Sequence, residues 1–320
     1  MKKIGVLTSG GDAPGMNAAI RAVVRSAIYN DMEVFGIERG YEGLYKDVMF
    51  QMDRRSVSDI LQRGGTILKT ARLPQFSDIE VQRIAAENLR KRGIEGLVII
   101  GGDGSFRGAK ALCENFGINA VGIPGTIDND LAYTDFTLGF DTAVNTVLWA
   151  INSLRDTMTS HDRVCIIEVM GRKCGDIALY SAVSGGAEAI LVPELPLNID
   201  EICESIKSNY ERGKTSDIII TAEGAEKADN IKSIISKKTG VSVRTMVLGH
   251  IQRGGSPSNF DRVLAARLGV RAVDLIKEGC SDRVVGIHDN HIIDMDISKA
   301  LDMKRTFDNE LFEIAKILSL

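Results

Sequence analysis

The sequence of 320 residues is poor in aromatic side chains and in cysteine, and its five cysteines form no C-x-x-C pair. An odd, scattered set of cysteines is not a disulfide framework, so reduced thiols in a cytoplasmic protein are expected. The four histidines show neither H-E-x-x-H nor zinc-finger spacing, which disfavours a zinc site. With 39 basic and 43 acidic side chains there is no basic excess, so nucleic-acid binding is not expected. Because no apolar run reaches transmembrane length, no membrane association is expected either.

The sequence also lacks the two commonest nucleotide-binding fingerprints. There is no G-x-x-x-x-G-K-[ST] segment, which excludes a P-loop enzyme, and the first turn does not read G-x-G-x-x-G. The missing dinucleotide fingerprint disfavours a dehydrogenase with a Rossmann fold.

Short apolar runs that end at glycine or another breaker recur along the chain, each followed by a helical pattern. The runs comprise residues 4–7, 97–100, 120–123, 164–169 and 218–220. Continuous Val, Ile and Leu runs that alternate with helices indicate parallel sheets covered on both faces. We therefore predict an α/β fold of two doubly wound, mostly parallel-sheet (Rossmann-like) domains, with the active site in the cleft between them.

Two helices are predicted from apolar residues at three- and four-residue steps. One covers residues 140–158, and the other includes residues 20–28, with Arg21 and Arg25 one turn apart on its polar side.

The division into domains rests on the longer of these helices, because no linker, repeat or low-complexity stretch marks a boundary. The length suggests two domains. A new strand series follows the long helix, so we expect domains at residues 1–138 and 139–320. A C-terminal segment at about 255–305 is expected to cross back to the first domain.

Residue types used in phosphoryl transfer follow the apolar runs 4–7 and 97–100. Open α/β sheets bind their ligands at such strand ends. The segments are Gly10-Gly11-Asp12 and Gly101-Gly102-Asp103-Gly104-Ser105. Glycine lets the backbone approach a phosphate closely, and an aspartate offers oxygen ligands to Mg²⁺. A lone Gly-Gly pair is more simply a strand–helix turn, and Asp103 could instead cap a helix. Five specialised residues in a row favour a functional interpretation.

The segment Thr126-Ile127-Asp128-Asn129-Asp130 places two carboxylates two residues apart, on one side of an extended backbone. One could act as a general base on a hydroxyl while the other orients it or a metal. The alternative is a pair of solvated loop aspartates. The Pro124-Gly125 break just before them favours a shaped loop.

Arginines accumulate at loop and strand ends, together with one histidine. The set is Arg72, Arg163, Arg172, Arg244, Arg253 and His250. A guanidinium matches phosphate geometry, so in an acidic chain this set indicates a phosphorylated substrate, although each arginine alone is more simply a surface residue. The run from Gly249 to Gly255 combines imidazole, amide and guanidinium among glycines, which is difficult to explain structurally.

Five of these segments together resemble the ATP-dependent 6-phosphofructokinases of bacterial type, essentially from end to end. They are residues 4–17, 101–105, 124–130, 169–172 and 249–255. Each segment alone is a modest signal, whereas the occurrence of all five in this order is highly specific for the family. The resemblance implies phosphoryl transfer from ATP to D-fructose 6-phosphate in glycolysis, giving ADP and fructose 1,6-bisphosphate. It also implies that the first domain is the larger and binds ATP, and that the second binds the sugar phosphate.

The resemblance implies roles for individual residues by matched position. ATP would contact Gly11, Arg72, Leu73, Gly102, Asp103, Gly104 and Ser105, with Asp103 also at Mg²⁺. The sugar phosphate would contact Thr126, Ile127, Asp128, Met170, Gly171, Arg172, Glu223, Ile251 and Gln252, and its 6-phosphate Arg163, Arg244, His250 and Arg253.

The same resemblance implies which of these residues are catalytic. Asp128 would take the proton from the sugar 1-hydroxyl, and Thr126 and Asp130 would support that geometry. Arg72 would stabilise charge on the transferring phosphoryl group, to which Gly11 could donate its backbone N–H.

The family also implies an oligomer and an effector site. Arg163 and Arg244 would reach in from a neighbouring subunit of a homotetramer, so subunit rotation could withdraw phosphate ligands. ADP would activate and phosphoenolpyruvate would inhibit at a second basic set, which departs from some relatives at Arg55, where they carry a base-stacking tyrosine. The set is Arg21, Ala22, Val23, Val24, Arg25, Arg54, Arg55, Ser56, Val57, Ser58, Asp59, Arg155, Gly186, Ala187, Glu188, Arg212, Lys214, Thr215 and Ser216, with Gly186 and Glu188 near a metal.

Two glycines favour ATP over pyrophosphate as the donor. Pyrophosphate-using relatives typically carry aspartate where this chain has Gly104 and lysine where it has Gly125. An aspartate at 104 would crowd and repel the α-phosphate of ATP.

Two further alternatives are weighed against the kinase. A catalytically silent regulatory homologue is disfavoured, because Asp103, Asp128, Arg72 and Arg163 are all present. A dinucleotide or lipid kinase that shares the Gly-Gly-Asp-Gly loop is disfavoured by the segment 250–255.

Overall fold

The computed structural model describes residues 2–161, 163–214 and 216–319, so the predicted effector residue Thr215 lies outside the described residues. Two compact units are distinguished. The first comprises Met1–Ile127, Leu131–Thr142 and Arg253–Arg305, and the second comprises Asp128–Asp130, Ala143–Gln252 and Thr306–Leu320.

Strands and helices alternate along most of the chain. The strands are β1 (Lys3–Thr8), β2 (Glu33–Ile37), β3 (Met49–Met52), β4 (Gly96–Gly101), β5 (Asn119–Pro124), β6 (Val164–Val169), β7 (Ala189–Leu191), β8 (Ile218–Ala222), β9 (Val243–Val247), β10 (Arg283–His288) and β11 (His291–Asp296). The helices are α1 (Met16–Tyr29), α2 (Tyr41–Tyr45), α3 (Ile79–Lys91), α4 (Asp103–Phe116), α5 (Phe140–Thr159), α6 (Asp176–Gly185), α7 (Ile199–Glu211), α8 (Ala228–Thr239), α9 (Asn259–Lys277), α10 (Ile297–Asp302) and α11 (Asn309–Leu318). Short 3₁₀ turns cover Pro74–Ser77 and Gly249–Arg253.

The first unit is built on a seven-stranded sheet in the order β11-β10-β5-β4-β1-β2-β3. The edge strands β3 and β11 run antiparallel to their neighbours, and the strands between them are parallel. In the register, Thr8 pairs with Ile100, and Gly101 pairs with Pro124. The turns that follow β1, β4 and β5 therefore begin at one edge of the sheet.

Helices α1 and α9 pack closely together because small residues lie where they meet. A Cβ atom placed on Gly269 would lie only 2.5 Å from Cβ of Ala22. The apolar face of α1 is buried, as the predicted three- and four-residue periodicity requires.

The second unit is built on a four-stranded, wholly parallel sheet in the order β7-β8-β6-β9, with β9 at one edge. Strands β6 and β8 are buried along their whole length, as expected for runs of Val, Ile and Leu in a covered parallel sheet. The predicted α/β class with two mostly parallel sheets is confirmed. Among the described residues, no helix is both long and apolar enough to span a bilayer.

Candidate active site

Three predicted segments converge at one sheet edge of the first unit. A Cβ atom on Gly101 would lie 2.4 Å from Oγ of Ser105 and 2.5 Å from the carbonyl oxygen of Ser9. A Cβ atom on Gly102 would lie 3.7 Å from Cβ of Thr126. The turns after β1, β4 and β5 therefore pack against one another, and glycine is required at 101 because any side chain would overlap two neighbours.

The first of these turns lies under an arginine. Gly10 has a φ of 89°, in the region that favours glycine. A Cβ atom on the next residue, Gly11, would lie 2.8 Å from Nη1 of Arg253. The guanidinium thus covers bare backbone, and both the charge and the N–H groups of this turn suit an anion.

Helix α4 starts at Asp103, and its cap is Gly102, which has no side chain to bind the first N–H groups. The Asp103 carboxylate forms a bidentate pair with Arg107 one turn later, at 2.9 Å (Nε–Oδ2) and 3.1 Å (Nη2–Oδ1). The hydrogen bond to Asp103 raises the pKa of Arg107. Sequence reasoning missed Arg107, although an acidic residue four positions before an arginine on a helix is a recognisable signal.

The donor set at this edge fits Mg²⁺ that arrives with a nucleotide. Magnesium is commonly held by one or two carboxylates together with substrate phosphates. Asp103 supplies one carboxylate beside the glycine turns, and Arg107 would have to share it with the ion. Among the described residues, the one three-member cluster of potential metal ligands is Asp135, His288 and Asp289, which the predictions did not include.

The two glycines used to choose the donor differ in their surroundings. A Cβ atom on Gly104 would meet nothing within 4 Å. A Cβ atom on Gly125 would lie 3.0 Å from Cγ2 of Ile100 and 3.1 Å from Cε of Met16. Gly125 is therefore also required for packing, whereas Gly104 has no packing constraint.

Arg72 and Leu73 lie in the segment before the 74–77 turn. Arg72 is exposed, whereas Leu73 packs on the core of the first unit. The hydroxyl of Thr70 donates a hydrogen bond of 2.7 Å to the carbonyl of Gly10. This bond ties the Arg72 segment to the Gly10–Gly11 turn.

In the second unit, both predicted carboxylates face one arginine. Nε of Arg172 lies 3.2 Å from Oδ2 of Asp128, and its Nη1 lies 4.0 Å from Oδ2 of Asp130. The Asp128 side chain is only 3% exposed, whereas Arg172 is 54% exposed. A buried carboxylate thus borders an accessible cation, an arrangement that can hold a polar substrate beside a proton acceptor.

The remaining residues predicted for the sugar lie around Arg172. Its backbone has a φ of 54°, and its N–H donates to Oε1 of Glu223 at 3.0 Å. The N–H of Met170 donates to Oε1 of Gln252 at 3.3 Å. At Gly171, which has a φ of 134°, an added Cβ would lie 2.3 Å from the Cys174 carbonyl.

Asp176, which sequence reasoning missed, supports the loop of the two carboxylates. Its Oδ2 accepts a hydrogen bond of 2.9 Å from Nδ2 of Asn129. Asn129 lies between Asp128 and Asp130 and has a φ of 51°. No sequence motif predicts the contact of Asp176 with Asn129, because the two residues are 47 positions apart in the chain.

Arg163 and Arg244 lie at the opposite end of this sheet. Arg163 precedes β6, and Arg244 pairs with Cys165 at the start of the same strand. At about 3.3 Å per residue, Arg244 is roughly 13 Å along the strand from Val169, which precedes the sugar residues. The structure therefore does not bring these two arginines to Met170–Arg172 within one unit. His250 and Ile251 are exposed in the turn after β9.

Part of the predicted effector set is assembled in the second unit. Oε1 of Glu188 lies 2.9 Å from Nζ of Lys214 and 3.6 Å from Nη1 of Arg155. Arg155 also donates to the carbonyls of Gly185 and Gly186, at 2.9 and 2.6 Å. A metal at Glu188 would share this carboxylate with two cations. Ala187 is buried, and Arg212 is exposed.

Asp217 belongs to the same cluster and was missed by sequence reasoning. It lies 3.6 Å from Nζ of Lys214. Burial, and then the charge of Glu188, raise the pKa of Asp217. The half-buried Ser216 precedes it.

The charged and hydroxyl-bearing effector residues predicted in the first unit are exposed or half-buried. Burial and then the charge of Arg25 lower the pKa of Arg21. Arg54, Arg55, Ser58 and Asp59 are exposed, and Ser56 binds Asp53 within a turn.

Three of the predicted effector side chains belong to the core instead. Val23, Val24 and Val57 are fully buried. Their side chains therefore cannot contact an effector in this conformation. Ala22 packs on α9, as described above. The effector segments were predicted as continuous stretches, so buried and exposed positions within them were not distinguished.

A glycine-rich backbone edge whose N–H groups suit phosphate, and a separate edge with a buried carboxylate beside arginine, are typical of a phosphotransferase of α/β type. A family model described as "Phosphofructokinase" matches residues 3–276. The chain is 62% identical over 319 residues to the "ATP-dependent 6-phosphofructokinase" of Clostridium tetani, and the match covers all of both chains. The chain belongs to the phosphofructokinase family.

Two solved structures share the fold. Phosphofructokinase from Saccharomyces cerevisiae matches with a TM-score of 0.89 and 34% identity, over 99% of this chain and 47% of that one. A pyrophosphate-dependent phosphofructokinase from Marinobacter aquaeolei matches with a TM-score of 0.87 over 97% of this chain and 86% of that one. Its identity is 21%, so it shows the fold and does not bear on the donor.

Proposed function

We propose that this chain is an ATP-dependent 6-phosphofructokinase that transfers the γ-phosphoryl group of ATP to the 1-hydroxyl of D-fructose 6-phosphate in cytoplasmic glycolysis. The observation that carries the proposal is that Asp128 and Asp130 both lie next to the Arg172 guanidinium, while the backbone N–H of Arg172 donates to Glu223. The full-length relative at 62% identity carries this activity in its name. The cytoplasmic location is supported by the sequence, whose five cysteines are scattered and form no C-x-x-C pair.

In this proposal the first unit binds ATP. The backbone of Gly11 and of residues 102–105 contacts the phosphates, and Arg72 and Leu73 contact the nucleotide. Asp103 would hold Mg²⁺ together with the phosphates, and the ion would supply positive charge that offsets the charge of the transferred group. Gly104 supports ATP as the donor, because its open surroundings leave room beside the α-phosphate.

The base and most of the residues proposed to hold the sugar phosphate belong to the second unit. Asp128 accepts the proton of the 1-hydroxyl while that oxygen forms its bond to the γ-phosphorus. The bond from the γ-phosphorus to the bridging oxygen breaks, and ADP leaves with that electron pair. Thr126 and Asp130 support this geometry, and Met170 to Arg172, Glu223, Ile127, Ile251 and Gln252 hold the sugar.

The 6-phosphate would be bound by His250 and Arg253, with Arg163 and Arg244 supplied by a second copy in a homotetramer. The support for sharing is the placement of Arg163 and Arg244 at the far end of β6 and β9 from Met170. Arg163 and Arg244 lie too far from Met170 of their own subunit to bind the same sugar phosphate, but they could bind one held by another subunit.

Effector control by ADP and phosphoenolpyruvate is proposed for the second basic set. Its support is the cationic cluster around Glu188 and the like-charged pair of Arg21 and Arg25 on α1. The variants Arg21→Ala and Arg25→Ala are expected to change the response to both effectors more than the basal rate. An unchanged response in both would leave these arginines as surface charges.

A coupled assay with fructose 6-phosphate tests the activity and the donor together. Turnover with Mg-ATP and little with Mg-pyrophosphate is expected. Preference for pyrophosphate would contradict the assignment of the donor. No turnover with either donor by pure, oligomeric protein would favour the silent regulatory homologue.

Mixed oligomers test whether sites are shared. Asp128→Asn and Arg244→Ser subunits, each nearly inactive alone, are unfolded, mixed and refolded together. A shared site predicts that activity returns, because some sites combine an intact Asp128 with an intact Arg244 from different subunits. If each subunit is self-sufficient, the mixture stays as inactive as its components.

A further inference from the structure

The first motif of the family resemblance ends at Asn17, a residue to which neither the sequence analysis nor the proposed function gives a role. Asn17 lies in the first turn of α1 and is only 1% exposed. A buried carboxamide must satisfy both its donors and its acceptor, so its partners identify what it does.

Within the described part of the chain, the hydrogen-bond partners of the Asn17 side chain all belong to one turn, residues 63–67. Its Nδ2 donates to the carbonyls of Arg63 and Gly64, at 3.1 and 3.2 Å. Its Oδ1 accepts from the N–H of Ile67 at 2.7 Å. One side chain therefore satisfies three backbone groups of a turn that has no strand or helix of its own.

The turn held by Asn17 fits directly against the segment that follows Arg253. A Cβ atom on Gly64 would lie 2.3 Å from the carbonyl oxygen of Gly255. Two backbones thus touch with no side chain between them. The Arg253 guanidinium lies at Gly11, two residues before this contact in the chain.

The other end of the turn leads to Arg72. The hydroxyls of Thr8 and Thr66 are 2.9 Å apart, and Thr70 donates to the carbonyl of Gly10. From Ile67, which Asn17 holds, the chain reaches Arg72 in five residues. Displacement of the turn would consequently move both arginines relative to the Gly10–Gly11 turn.

We propose that Asn17 is a positioning residue that fixes Arg72 and Arg253 for phosphate binding by holding the 63–67 turn. Its amide is required rather than its size, because two carbonyls demand donors and one N–H demands an acceptor. The roles of the two arginines rest on the proposed function, and the hydrogen bonds of Asn17 do not.

The test compares Asn17→Asp with Asn30→Asp, a matched change on the same helix. An aspartate at 17 keeps the size but places a second oxygen against the carbonyls of Arg63 and Gly64. Asn30 follows the last residue of α1, its Oδ1 accepts from Lys277, and its Nδ2 donates to the Ser26 carbonyl at 2.9 Å. An aspartate there likewise loses a donor to a backbone carbonyl, but away from the 63–67 turn. The readouts are amide hydrogen exchange at Ile67, thermal stability, kcat, and KM for each substrate.

The proposal expects faster exchange at Ile67 in Asn17→Asp, together with a fall in kcat and a rise in KM for fructose 6-phosphate. Each change is expected to be about tenfold or more, since small misplacements of charged groups have effects of this size. Asn30→Asp should leave kcat, KM and exchange at Ile67 as in the parent protein, although the lost bond to Ser26 can lower its thermal stability. A merely structural role would lower the melting temperature and the folded fraction while leaving KM unchanged.

Gly64→Ala supplies an independent perturbation if Asn17→Asp does not fold. An added methyl collides with the carbonyl of Gly255 and leaves the carboxamide of Asn17 chemically unchanged, so the same kinetic signature is expected. Faster exchange at Ile67 with unchanged kcat and KM in either folded variant would overturn the proposal, as would unchanged exchange in Asn17→Asp. If the parent protein does not turn over fructose 6-phosphate, the proposed function fails, and calorimetric binding of ATP and fructose 6-phosphate still tests Asn17.

Discussion

The polar sheet edges of the two units use different chemistry. In the first unit, the turns after β1, β4 and β5 offer mainly bare backbone, and side chains are excluded by close packing at Gly101 and Gly125. In the second unit, the segments after β6 and β8 offer charged side chains, with Arg172 facing Asp128 and Asp130. Backbone N–H groups suit repeated phosphates, whereas placed charges suit one reacting hydroxyl and its proton.

This difference means that the two edges should fail in different ways. Loss of a charged side chain in the second unit removes an interaction outright. At the glycine turns of the first unit, a new side chain matters chiefly where it introduces charge or volume beside the phosphates. The predictions that follow are arranged from the largest expected effect to the smallest.

Removal of the cation that the two carboxylates share should strongly weaken the charged edge. In Arg172→Leu, two carboxylates lose their cation and the sugar loses a ligand. We expect kcat/KM for fructose 6-phosphate to fall by about two orders of magnitude, as for one partner lost from a charge pair. Lys173→Leu removes the exposed neighbouring charge and serves as the control. A similar loss in both variants would show that general charge, rather than the Asp128 contact, is responsible.

Charge at Gly104 should distinguish repulsion from volume at the backbone edge. Because a Cβ atom there meets nothing within 4 Å, neither Gly104→Ala nor Gly104→Asp should disturb folding. We expect Gly104→Asp to lower kcat/KM for ATP by about tenfold through repulsion of phosphate, and Gly104→Ala to lower it far less. Steady-state kinetics at fixed Mg²⁺ measure both. Equal losses would indicate that space alone matters.

The smallest effect on turnover is expected for the last prediction, which concerns the pH dependence of stability. It involves a buried carboxylate that supports the backbone edge. Asp261 accepts hydrogen bonds from the N–H groups of Gly139 and Thr142, both at 2.9 Å, and so caps the start of α5. Burial raises the pKa of Asp261 to about 6, and the charge of Asp141 adds to the shift.

A folded-state pKa above the ordinary value of about 3.9 stabilises the protein below that pH, and this contribution is lost as pH rises through about 6. The free energy of unfolding of the parent protein should therefore fall relative to Asp261→Asn between pH 4 and 7, by on the order of 2 kcal/mol. Urea unfolding at several pH values measures this difference. A difference that is constant or rises with pH would contradict the shift.

The fold was largely predictable because its strands are short buried runs that end at breakers. The predicted runs at 4–7, 97–100 and 164–169 all lie within observed strands. The glycine turns were predictable for the same reason, since strand ends meet at one sheet edge. Helix α1 covers Met16–Tyr29 and so includes the predicted residues 20–28, whereas its start was not predicted.

The pairings within the site were not predictable, because they join distant segments. Asp128 and Arg172 are 44 residues apart, and only the folded chain brings them together. Asn17 and the 63–67 turn are separated by a strand pair and a helix. Burial was also invisible at Val23 and Val24, which a family segment includes although α1 turns them into the core.

The most direct test of the account measures binding and turnover in Asp128→Asn, with Asp156→Asn on the exposed side of α5 as the control. The account predicts that kcat falls by about a thousandfold, while the Kd values for fructose 6-phosphate and Mg-ATP change by no more than about threefold. Undiminished turnover in a folded Asp128→Asn enzyme would show that another group accepts the proton, and the central claim would be wrong.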